Sequence, residues 1–83
     1  MTLEAPAALL AARVFVLGER RHVFARLSHA SYAATEPSRI VAQVDAHIAE
    51  VYTLASILGG PNLEDAVRAR VALIYADLPG DSL

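Results

Sequence analysis

The side chains able to bind a metal or move a proton are few, and their spacing limits what they can do. His22 and His29 lie seven residues apart, on one face of a helix but about 10.5 Å apart along its axis. One metal ion with bonds near ~2.1 Å is not easily held by both. His47 and Glu50, three apart, could chelate. A di-iron bundle needs two Glu-x-x-His pairs and further carboxylates; here the order is reversed and there is no second pair. A helical haem- or metal-binding protein using His47 is therefore the second alternative, and no cofactor is expected.

Catalytic constellations are thin. Ser28, Ser31, Ser38 and Ser56 sit on or beside helical segments, with no nucleophile elbow and no glycine-rich oxyanion loop. Asp45 and His47 are two apart on a helix and point in different directions, so they form no dyad. "LGGPN" has too few glycines, in the wrong order, for a phosphate loop. The terminal Asp81-Ser82-Leu83 resembles the Asp-Ser-Leu at which acyl carrier proteins take their phosphopantetheine arm, but nothing upstream matches the rest of that domain. The chain is not expected to be an enzyme.

The arginines offer another chemistry. Val14, Gly18 and Phe24 roughly imitate the spacing of a helix-turn-helix, whose second helix would carry Arg20, Arg21 and Arg26 into the major groove. A DNA-binding regulator of that kind is the first alternative. Against it stands a net charge of −2 at pH 7, which gives no general attraction to nucleic acid or anionic lipid. Tyr32, Tyr52 and Tyr75 are scattered one per segment, at positions common both in cores and at interfaces.

All of these residues must be positioned by helices. More than half the chain is hydrophobic, yet only 6% is aromatic, and alanine, the best helix former, supplies much of the difference. Glycine and proline are sparse and clustered. Cysteine is absent, which excludes disulfides, thiolate zinc sites and cysteine nucleophiles. All basic residues are arginine, which with the alanine points to a GC-rich bacterial genome. The most apolar run, Ala5–Leu17, is interrupted by Arg13 and is shorter than the ~20 residues a bilayer span needs. Glu4 stands where a signal peptide carries positive charge. A soluble, cytoplasmic, bacterial protein is expected.

Four helical segments are legible. Leu10, Val14 and Leu17 mark one face of a first helix, about 4–17, with Thr2 before it and Pro6 in its opening turn. Gly18 reads as a C-terminal cap and corner, and a continuous helix through it is the competing reading. A second helix, about 19–34, carries the stripe Val23, Leu27, Ala30 and Ala34, widened by Phe24, and stops at "TEPS" ahead of Pro37. The third, about 38–58, is the strongest: Val41, Val44, Ile48, Val51, Ala55 and Leu58 alternate in steps of three and four. Ile40, Leu54 and Ile57 broaden that stripe beyond a coiled-coil seam, as suits a helix touching two neighbours. Gly59-Gly60-Pro61 ends it. Asn62 starts the fourth helix, about 62–78, with Glu64 and Arg68 paired at i,i+4 and a buried stripe of Val67, Val71, Ile74, Tyr75 and Leu78. The last few residues are expected to fray.

The expected fold is a single all-α domain over 1–83, a small bundle of three to four helices. Its apolar stripe looks wider than short, alanine-rich partners can cover, and uncovered apolar faces mark association sites. The functional expectation is a protein–protein interaction module: an adaptor, an assembly or secretion chaperone, or an inhibitor. It would act as a homo-oligomer or on a larger protein, through Leu9, Val16, Ile40, His47, Tyr52, Leu54 and Ile57.

Overall fold

Two helices carry the structure, a computed structural model that describes residues 2–30 and 35–78. The first, α1, spans Glu4–Ala30. Its alanine content favours the helix, Glu4 complements the positive N-terminal end, and Pro6 sits in the first turn, where its missing N–H costs nothing.

No corner forms at Gly18. The separate helices expected over 4–17 and 19–34 are one continuous helix. The glycine serves close approach instead: a Cβ there would lie 2.5 Å from the Tyr75 hydroxyl oxygen. The helix tolerates it because one interior glycine costs only about 1 kcal/mol. The expected end at 34 lies outside the described residues.

The second helix, α2, spans Thr35–Ala76, with Glu36 and Pro37 in its first turn. Inside it Gly60 adopts φ 71°, ψ −169°, in the left-handed half of backbone space that glycine enters without steric cost. Pro61 follows. The interruption expected at Gly59-Gly60-Pro61 is therefore real: non-helical backbone at Gly60 joins two helical limbs with no loop between them, so that they count as one kinked element. The count is two helices, where three or four were expected. The kink divides α2 into a first limb, 35–59, and a second limb, 61–76.

The limbs fold back on each other. The Arg68 guanidinium lies 4.1 Å from the Tyr52 ring centroid, whereas sixteen residues of straight helix would separate them by about 24 Å. The first limb runs antiparallel to α1, pinned where Arg21 Nε donates to Asp45 Oδ1 at 2.6 Å. The second limb returns along α1, so that the Phe15 and Tyr75 rings meet with centroids 5.4 Å apart.

The core between them is small. Ala7, Ala11 and Val14 of α1 meet Ala55 of the first limb and Leu63 and Val67 of the second. Leu17 and Val44 are the other buried apolar residues described. Alanine at three of these eight positions lets the helix axes approach closely but leaves little side chain to bury. The Cα atoms extend over 50 × 29 × 14 Å, a thin slab in which every element reaches solvent.

Several stripe assignments need correction. Val14, Leu17, Val44, Ala55 and Val67 are buried as expected, but Val23, Leu27, Leu58, Tyr75 and Leu78 are exposed. For Val23 and Leu27 the cause is the unbroken α1, which fixes their rotation relative to Ala7 and Ala11 and turns them away from the core. Leu58 stands at the foot of the first limb beside the reversal, beyond the shelter of the second limb.

Candidate functional site

The feature with most chemical consequence is the outer side of α1. Leu9, Val16, Val23 and Leu27 recur at steps of seven, seven and four, so they fall within about 40° of one another at 100° per residue. The core-facing Ala7, Ala11 and Val14 lie about half a turn away. All four outer residues are exposed, Leu9 by 73% and Val16 by 52%. Ala5 and Ala12, also exposed, fill the gaps between them. Helix α1 thus carries a second apolar stripe opposite the one in the core, interrupted by the exposed Arg20 between Val16 and Val23.

The first limb continues this surface. A groove between α1 and the first limb is lined by Arg13, Leu17, His47, Glu50, Val51 and Leu54. Arg13 is the residue between Leu9 and Val16 on the flank nearest that groove. Leu54 lines it from the first limb; Leu58, 67% exposed, follows one turn on, and Ile57, 74% exposed, lines a separate groove between the two limbs. Among the described residues, more large apolar side chains are exposed than buried.

The expected interface residues divide accordingly. Leu9, Val16, His47, Leu54 and Ile57 are exposed, while Ile40 and Tyr52 are half-buried. His47 and Leu54 line the α1–first-limb groove, while Leu9 and Val16 stand on the outer side of α1. Tyr52 and Ile57 face another groove, between the two limbs, with Ser56, Glu64 and Arg68. There Arg68 donates to Glu64 at 2.8 Å, the pairing expected from the sequence. That bond raises the arginine's pKa further above its usual value.

The other candidate chemistries are not assembled. Among the described residues no three His, Asp or Glu side chains gather as a metal site, and His47 has only Glu50 as an acidic neighbour in its groove. Arg20, Arg21 and Arg26 lie on one continuous helix, roughly a third of a turn apart, so they share no face. The turn that would set a recognition helix off from its neighbour is absent from 4–30, and Arg21 is engaged with Asp45. Ser28 donates back to the Ala25 carbonyl at 2.9 Å, a local helical bond. Ser31 and Tyr32, and the terminal Asp-Ser-Leu, lie outside the described residues. No polar or charged residue is buried among those described.

At the other end, Glu19, Arg21, His22 and Tyr75 surround the close approach at Gly18. Partial burial, and after it the charge of Glu19, raises the Tyr75 phenol above its ordinary pKa.

Sequence reasoning missed Val23, Leu27 and Leu58 as surface residues. The signal for the first two was present in the seven-residue repeat Leu9–Val16–Val23. That repeat crosses Gly18 and vanishes once the helix is cut there. Comparison with known proteins finds no matching family profile, no similar curated protein and no similar solved structure.

Proposed function

We propose that this chain is a small helical protein–protein interaction module, an adaptor, chaperone or inhibitor whose working surface is the outer side of α1 with the adjoining flank of the first limb. The observation that carries the reading is the second apolar stripe, Leu9, Val16, Val23 and Leu27, exposed on a helix whose opposite side is already in the core. Four large apolar side chains exposed along one side of a helix, broken only by Arg20, favour association. The three helical stretches, α1 and the two limbs, would then act as a small bundle presenting one flat side.

Position-specific photo-crosslinking tests it. A photoreactive residue at Val16 should form protein adducts in extracts of the source organism, whereas one at Asp65, exposed on the second limb, should not. Equal yields at the two positions, or none at Val16, overturn the reading.

A further inference from the structure

Resting on that reading, we infer that the occupant of this surface is a second copy of the same chain, stacked face to face about a twofold axis parallel to the helices. The size of the face argues for it first. From Ala5 to Leu27 is about 33 Å of helix, and two helices side by side present about 20 Å of width. One such face covers roughly 600 Å², and a pair buries about 1,200 Å², the lower bound of a specific interface. The α1 stripe alone offers half of that, so the flank of the first limb has to take part.

Register and charge then select the partner. The Arg21–Asp45 contact sets α1 antiparallel to the first limb, with residues whose numbers sum to about 66 lying level. A twofold parallel to the helices keeps levels unchanged and lays α1 of each copy over the first limb of the other. Leu9 then comes level with Leu58 of the second copy, Ala12 with Leu54, and Leu27 with Ile40. Arg13 lies within a helical turn of the level of Glu50 of the second copy. Arg13 and Glu50 are both exposed, and among the described residues neither has an ion-pair partner within its own chain. The face thus carries apolar rows towards both ends and, near its middle, two exposed cations, Arg13 and Arg20. Their levels lie on either side of one anion, Glu50 of the second copy, so that Arg13 and Glu50 can pair twice about the twofold. Twofold association of this kind is the commonest form of soluble oligomer.

Sedimentation velocity on the full chain at low ionic strength tests the inference, using Arg13→Glu and Glu50→Arg. The wild type should sediment as a dimer. Each single variant creates like-charge contacts and should weaken self-association about tenfold or more. An equimolar mixture of the two variants should recover dimers, because opposite charges then meet only between unlike chains. Circular dichroism should show both variants as helical as the wild type, since both side chains are exposed.

A monomeric wild type overturns the second copy as occupant. The functional reading is decided separately, by whether Val16 forms an adduct with any protein, a second copy of this chain or a different one. Dimers that are indifferent to both variants, or a mixture that fails to recover, overturn the proposed stacking.

Discussion

The two sides of α1 are built from similar residues and meet different fates. On the inner side Ala7, Ala11, Val14 and Leu17 are almost fully removed from water; on the outer side Leu9, Val16, Val23 and Leu27 are about half exposed or more. Hydrophobicity alone does not distinguish them, because the larger side chains stand outside. What differs is size. Small residues inside let the two limbs of α2 come close, and that proximity completes a core from few atoms. The larger outer residues would hold a helix further off and bury more area against it.

The sharpest way to break this contrast is one charge placed on each side. Val67→Asp, facing the inner stripe with no exposure, strands a carboxylate among Ala11, Val14 and Ala55 and should cost more than about 4 kcal/mol. Loss of the helical circular dichroism signal at room temperature would record it. Val16→Asp should leave that signal intact and abolish association in sedimentation. Equal loss of helix from both would show that the two sides do not differ.

The kink comes next in size. Gly60→Ala forces a Cβ into left-handed backbone at φ 71° and should lower stability by about 1–2 kcal/mol, read from denaturant melts. The inner side depends on the second limb folding back, so this variant should weaken the core and leave the outer stripe of α1 unchanged.

A smaller effect sharpens the comparison at Gly18, on the side facing the second limb. Gly18→Ala gains helix propensity but meets the Tyr75 hydroxyl, and should be neutral or destabilising by itself. Combined with Tyr75→Phe, which removes the obstructing oxygen, it should become stabilising by about 0.5–1 kcal/mol. Absence of that coupling would place the tyrosine elsewhere.

The smallest effect is alkaline. The Tyr75 phenol has a raised pKa in the folded chain, so the folded state holds its proton more tightly than the unfolded state does. Its contribution is complete below about pH 10, the unfolded value, and is lost as pH rises through the folded value. With the residue 42% exposed the slope should be shallow. Tyr75→Phe should flatten it in melts repeated across that range.

Helical class, the start of α2 around Pro37, the interruption at Gly60 and the Glu64–Arg68 pair were all readable in the sequence, because each follows from local chemistry. Proline restricts its predecessor, paired glycines admit left-handed backbone, and i,i+4 charges meet on any helix. The course of the chain at Gly18 was not readable. A glycine after a helical face signals a cap when its neighbours are sequential, and permits close approach when they are distant. The deciding atom, the Tyr75 hydroxyl oxygen, lies fifty-seven residues away. The candidate surface shared that fate. Leu9, Val16, Leu54 and Ile57 could be singled out as surplus apolar residues, but Val23 and Leu27 join them only once α1 is known to be unbroken.

The reversal at Gly60 also has a consequence in time. Tyr52 meets Arg68 across sixteen residues, whereas Arg21 reaches Asp45 across 24. The shorter loop loses less chain entropy on closing, and its corner is already imposed by glycine and proline. The two limbs of α2 are therefore favoured to dock first and to present Ala55, Leu63 and Val67 as a ready-made seat. Helix α1 would then close the longer loop, at an extra cost of about 0.4 kcal/mol, in the step that divides its residues between inside and outside.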